Sequence, residues 1–330
     1  MSIKPASQQT RLTDWLIFLA VPFFFSSNII FGRGVIGEVS PFIAAFIRWI
    51  GSSLIIAPFM IADWRNCLAF VRQKTLLWLV LGILGMGVCG GVVYWGLTMT
   101  TAANGTLIYT TSSLFIILFQ RIFQGRPIRR LEVAGMIIAF AGVAAIVLKG
   151  DMSALWQMKF NIGDFAILTA AIAFAVYSLL LRDPEARQMA SFSLFGLIAF
   201  SGALVLLPPA AVELAHGGLL PATAIAWAKI GGIILFASLL AFYCFTHTVR
   251  VFGPATAGIT LYMMPPVSIV MATLFLGETF ETYHAIGIVL VTGGVVIATA
   301  PIGRRVAKEH HGKKGRIPLA LDISHSAPNY

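Results

Sequence analysis

The sequence predicts an all-α membrane protein of ten transmembrane helices, arranged as two inverted five-helix repeats. The first observation is composition: 58% hydrophobic and 11% charged residues with a mean hydropathy of +0.88, against roughly 45–50% apolar and about 25% charged in soluble domains. The second is that ten apolar windows, each near the ~20 residues needed to cross a bilayer, follow one another with short polar breaks. The third is a repeated glycine framework. In FQGRPIRRLEVAGMIIAFAG (123–142) and FLGETFETYHAIGIVLVTGG (275–294), Gly125, Gly135 and Gly142 fall on Gly277, Gly287 and Gly294 at an offset of 152 residues.

The windows run over 13–32, 40–61, 75–97, 102–121, 131–149, 162–181, 188–208, 225–247, 254–276 and 284–301. The first is too long for a signal-peptide core and lacks a small-residue cleavage site, so it is read as a span. At an offset of 150, Asp14 falls on Asp164 and Pro58 on Pro208. Five is odd, so the second copy enters the membrane upside down. The expected organisation is a cytoplasmic N-terminus (1–12), a first repeat (13–149), an external connector (150–161), a second repeat (162–301) and a basic cytoplasmic tail (302–330).

Charge orients the chain. With the N-terminus inside, 18 of the 23 Lys and Arg fall on the cytoplasmic side, four (Arg33, Lys149, Lys159, Lys229) outside and Arg48 within the second span, as the positive-inside rule requires. The first glycine segment is crowded with Arg and the second has no Lys or Arg. The net charge of +10 therefore reads as orientation and attraction to anionic lipid; no basic and aromatic module points to nucleic acid. Trp15, Trp64, Trp78, Trp156 and Trp227 sit near span ends, where indoles suit the headgroup zone. Cys67, Cys89 and Cys244 show neither disulfide nor metal spacing, and no cofactor is implied. Small residues at helical spacing, such as Gly87 with Gly91 and Gly135 with Ala139, predict close helix packing in lipid.

The segments SSNIIFGRGVIGEVSPFIAAFIRW (26–49), ANGTLIYTTSSLFIILF (103–119) with its following QGRPIRRLEVAG, and MPPVSIVMATLFLGETF (264–280) with HAIGIVLVTGGVVIA resemble the EamA-type branch of the drug/metabolite transporter superfamily. The resemblance spans nearly the whole chain apart from about a dozen N-terminal residues and the tail from Gly303. It implies a multi-pass protein of the bacterial inner membrane that exports amino acids, aromatic ones included, or other small metabolites. The chain departs from an even pattern where Arg126 stands opposite Glu278 and Ser113 opposite Pro265.

Candidate substrate-binding residues follow from polar groups inside spans. Thr106, Thr110, Ser113 and Gln120 share one face of the fourth span, bordered by Tyr109 and Ser112, and a polar stripe is expensive against lipid. They either line a cavity or bond back to their own helix. The repeat-equivalent ninth span carries Gly258, Tyr262 and Pro265; Pro265 and Pro266 remove two donors and are expected to leave the carbonyls of Leu261 and Tyr262 without helical partners. Arg48, ~10 Å deep at ~1.5 Å per residue past Pro41, suits either a substrate carboxylate held in bidentate fashion or a structural tie. Tyr243, His247 and Arg250 share a face of the eighth span, where His247 suits proton relay or simple solvation. Asn28, Tyr94 and Tyr177 complete the set.

All 13 acids lie at span ends, loops or tails. Proton-coupled export of drugs or organic cations wants a buried carboxylate to offset cation desolvation, so this alternative ranks below export of amino acids or related metabolites by alternating access around a central polar cavity. The missing acid also tilts the expectation towards facilitation. An intramembrane enzyme needs a nucleophile with a base, or paired aspartates, at membrane depth, and neither is visible. The expected partners are thus a small-molecule substrate and membrane lipid, with the oligomeric state left open.

Overall fold

A computed structural model of the chain describes residues 11–299 except 33, 34, 36, 101, 152, 154–160, 277 and 278. The regular elements among them are helices. They are α1 (Leu12–Gly32), α2 (Pro41–Ala62), α3 (Trp64–Gln73), α4 (Thr75–Leu97), α5 (Ala102–Thr110), α6 (Ser112–Gln124), α7 (Arg130–Val147), α8 (Ile162–Leu180), α9 (Pro184–Gln188), α10 (Ser191–Ala215), α11 (Ala224–Phe252), α12 (Pro254–Ile259), α13 (Met264–Leu276) and α14 (Thr282–Thr299). Nine helical stretches among the described residues are long and apolar enough to cross a membrane. Helix α1 has 21 residues, of which Leu12–Ser27 is a shorter apolar stretch. Gly277, Glu278 and the tail lie outside the described residues.

Local chemistry sets the helix starts, and it recurs at an offset of 150. Asp14 Oδ2 accepts from the Arg11 amide at 2.8 Å, and Asp164 Oδ2 accepts from the Asn161 amide at 2.8 Å. Each carboxylate thereby satisfies a donor that a helix N-terminus leaves orphaned. Helix α2 starts at Pro41 and α10 at Ser191. Inside α4 the hydrogen bonding switches to the wider π pattern from Ile83 to Val92, and inside α11 from Ile233 to Leu240. At an offset of 152, the Arg129 amide approaches Glu132 Oε2 at 3.5 Å to start α7, and the Glu281 amide donates to His284 Nδ1 at 3.0 Å to start α14.

The packing repeats as well. Helix α1 lies against α11 and α13, while α8 lies against α4 and α6. Helices α2 and α10 pack along their length in antiparallel fashion. At one end the Ile43 amide donates to Glu213 at 2.9 Å, and towards the other Ile56 and Met60 crowd Gly196. Helices α7 and α14 are also antiparallel: Gly135 faces Gly294 and Ala298, whereas Gly142 faces Gly287 and Val291. The core concentrates aromatic side chains, with Trp49, Tyr177, Phe174, Phe195 and Phe245 fully buried.

Three boundaries differ from expectation. The fourth span is broken at Thr111 into α5 and α6, because the hydroxyls of Thr110 and Thr111 donate to the carbonyls of Leu107 and Ile108 at 2.8 and 2.5 Å and compete with the helical ladder. The seventh span continues through Pro208 and Pro209 to Ala215, since Pro's fixed φ is helical and lost donors are tolerated in membrane helices where neighbours re-satisfy the freed groups. The ninth narrows to a 3-10 turn over Thr260–Met263. There the Met264 amide donates to the Leu261 carbonyl, so the expected orphan at Leu261 is filled locally, and Ser26 donates to the Met264 carbonyl at 3.0 Å.

Candidate functional site

Arg48 is the eighth of the 22 residues of α2 and is 6% exposed. Its Nε donates to Ser238 Oγ at 2.5 Å, one terminal nitrogen to the Tyr94 hydroxyl at 2.8 Å and the other to the Ala237 carbonyl at 2.6 Å. The Trp49 ring lies 4.5 Å and the Tyr94 ring 6.0 Å from the guanidinium carbon, both within cation–π range. Ser238 sits inside the π segment of α11, and its hydroxyl donates to Ile233, five residues back, at 3.0 Å. Its oxygen is therefore turned towards Arg48 by the wider turn. The neighbouring Trp49 ring, under the guanidinium, reaches the π segment of α4, where a Cβ on Gly90 would lie 2.6 Å from the indole nitrogen. Two consecutive residues of α2 thus plug two π segments 150 residues apart, and π segments concentrate at functional sites.

Removing a guanidinium from water costs several kcal/mol unless partners compensate. No carboxylate among the described residues stands within ion-pair distance of Arg48, and all three acceptors are neutral. The buried acids, by contrast, are engaged. Glu132, 3% exposed, accepts from Arg126 at 2.9 Å, and Asp164, 2% exposed, accepts from the Asn161 amide and from the Thr100 hydroxyl.

Of the other expected site residues, Tyr94 joins Arg48 directly. Tyr109 packs on Phe174 with ring centroids 5.9 Å apart, Phe174 on Tyr177 at the same distance, and Tyr177 on Phe242 at 6.4 Å. Phe242 in turn meets Trp49 at 5.1 Å. This aromatic chain brings Tyr109 and Tyr177 to the Arg48 neighbourhood. The Trp49 indole N–H has no hydrogen-bond partner, and the Tyr177 hydroxyl lies beside that of Thr246.

Ser113 and Tyr262 form a separate group. The Ser113 hydroxyl donates to the Gly258 carbonyl at 2.6 Å, joining α6 to α12. Tyr262 is fully buried with its hydroxyl beside Ser113, and Pro265, three residues on, is buried too. Thr110 bonds back to its own helix, and Thr106 is half-buried on α5. Tyr243 stacks on Phe192 at 4.3 Å, and His247 Nε2 lies 2.9 Å from Asp14 Oδ1. As a carboxylate only accepts, Nε2 carries the hydrogen. Asn28 lies on α1, with its side chain outside the described residues.

Sequence reasoning missed Ser238 and Trp49. The available signal for Ser238 was a lone hydroxyl in the apolar run IILFASLL; Trp49 had none beyond adjacency to Arg48.

Two stretches of the chain, residues 12–148 and 161–300, match the EamA-like transporter family. The chain is 23% identical over 273 residues to the uncharacterized transporter YetK of Bacillus subtilis, covering 82% of each chain. It is 25% identical over 240 residues to a probable terminal-alkyne amino-acid exporter of Streptantibioticus cattleyicolor, covering 71% of this chain and 76% of that one. A solved crystal structure shares the fold with a TM-score of 0.71 at 20% sequence identity, over 88% of this chain and 97% of its own.

Proposed function

Because the chain belongs to the EamA-like transporter family, and is a membrane transporter rather than an enzyme, we propose that it exports amino acids or related small metabolites across the bacterial inner membrane by alternating access. The observation that carries this reading is the placement of Arg48 and Trp49 between the π segments of α4 and α11. A side chain bridging equivalent elements of two halves is where rocking of those halves changes access.

The halves are read as inverted five-helix repeats, 13–149 and 162–301, joined by an external connector at 150–161. The antiparallel α7–α14 and α2–α10 contacts support this, as do the caps and π segments recurring at an offset of 150. Transporter folds built this way bind substrate near the midplane between the halves. Two latches fit alternating access: Asp14 with His247 at one end of the bundle, and the repeat-equivalent Asp164 with Thr100 at the other. The first ties the first helix of one half to the third span of the other, and the second ties the equivalent helix to the turn just after the third span. The charge distribution supports a cytoplasmic side for both termini.

The name of the Streptantibioticus cattleyicolor relative supports amino-acid cargo. Cation export is less well supported, because Glu132 and Asp164 are already engaged. A counterflow screen of labelled amino acids, sugars and organic cations in proteoliposomes tests the reading. Exchange of amino acids is expected; exchange confined to sugars or cations, or none at all, would overturn it.

A further inference from the structure

We propose that Arg48 is the anion-binding group of the substrate site, so that the cargo is a small carboxylate with an apolar or aromatic body. This rests on the transporter reading and adds the chemical class.

A guanidinium has five N–H donors. Protein acceptors take three, which leaves one on each terminal nitrogen. Two N–H groups on adjacent nitrogens are what a carboxylate accepts in a bidentate pair. The charge is unneutralised as well as under-coordinated, for no acid among the described residues reaches it. Arg250 also bonds only neutral acceptors, the carbonyls of Met189 and Ala186 and the Ser191 hydroxyl, but it sits half-buried at a helix end. Arg48 is buried well inside its span. A structural tie between α2 and α11 would be served equally by a neutral donor, without the desolvation of a cation; a substrate anion gives the charge a function.

A further polar atom in the same neighbourhood wants a partner. The Trp49 indole N–H is buried and unpartnered, and its ring borders Phe242, as does that of Tyr177. The side chains packed around it are aromatic, which suits an apolar or aromatic substrate body. No carboxylate among the described residues reaches Arg48 to demand an ammonium beside it, so a free amino group is accepted but not required. A lipophilic cation would meet the Arg48 charge with nothing to offset it.

The test is counterflow of labelled phenylalanine in proteoliposomes, in competition with 3-phenylpropionate, phenylalaninamide and tetraphenylphosphonium. Phenylpropionate is expected to compete, and the amide and the phosphonium to compete at least tenfold more weakly. Arg48→Gln should lower exchange at least tenfold, with Arg48→Lys retaining part of it because the charge remains while the fork is lost. Folding of each variant is checked by its melting temperature in detergent. Equal competition by acid and amide in the unaltered protein would overturn the proposal whether or not the variants fold, as would full exchange by a folded Arg48→Gln. If the vesicles exchange sugars or cations but no carboxylate, this proposal and the amino-acid reading both fail, while transport as such stands. If they exchange nothing, both fail.

Discussion

Gly135 and Gly294 meet backbone to backbone: a Cβ placed on Gly135 would lie 2.5 Å from the Gly294 carbonyl oxygen, and one on Gly294 would lie 2.5 Å from the Gly135 carbonyl oxygen. Neither neighbour is a side chain able to swing away, so the α7–α14 seam admits only glycine there. In lipid, helices associate largely through such close approach. Gly135→Ala or Gly294→Ala should therefore destabilise the bundle by about 1–3 kcal/mol, as overpacking generally does. Gly293→Ala, whose Cβ would meet nothing within 4 Å, should leave the melting temperature in detergent unchanged. Equal melting of all three variants would remove the seam.

The Ser113 hydroxyl joins α6 to α12 through the Gly258 carbonyl, whereas Thr110 only bonds back within α5. Ser113→Ala should cost about 0.6 kcal/mol, the average for a hydrogen bond between membrane helices, and Thr110→Val distinctly less. Ser113→Leu should in addition push α6 from α12, since Ser113 sits against Gly258, with its Cα 3.7 Å from where a Cβ on that glycine would lie. Transport should fall while membrane insertion persists. Unchanged counterflow in Ser113→Leu would detach this contact from the transport cycle.

His247 and Asp14 are 24% and 16% exposed in their side chains and sit 2.9 Å apart, so solvent screens the pair only in part. Asp14→Asn and His247→Gln should each change counterflow rates, and the double variant should resemble the stronger single one. A coupling of about 0.5–1.5 kcal/mol in the barrier is expected for groups in direct contact. Strictly additive effects would show that the pair does not act as a latch.

Cys67 lies on α3, outside the spans, and is 7% exposed. Burial pushes its thiol above the ordinary range, and the Asp63 carboxylate adds to the rise. The thiolate is the reactive form, so at neutral pH maleimide should label Cys67 more slowly than a free thiol. Its labelling should still climb with pH beyond the point where the free thiol has levelled off, and Asp63→Asn should speed it. Labelling of Cys67 at the free-thiol rate, read by peptide mass spectrometry, would show that α3 does not pack as described.

The helical spans, the correspondence of Asp14 with Asp164 and the repeated glycine framework were legible in the sequence, because each depends on neighbours within a few residues or on a period that the sequence records. Apolar windows locate spans since lipid leaves a backbone no other way to satisfy its hydrogen bonds. Asp14 and Asp164 announced their equivalence because a helix start needs an acceptor at a fixed short distance. The Thr111 break was less legible, for a hydroxyl in a span bends back or reaches across according to what lies beside it.

Tertiary structure alone decided the partners. Ser238 meets Arg48 across 190 residues, and Asp14 meets His247 across 233; no periodicity links such positions. Nor does composition show that the Leu261 carbonyl, freed by Pro265, is taken by the Met264 amide. Span positions follow from the chain's local exchange of water for lipid. Whether a polar side chain inside a span is satisfied, or left holding an unneutralised charge as Arg48 is, depends on which helices fold against it.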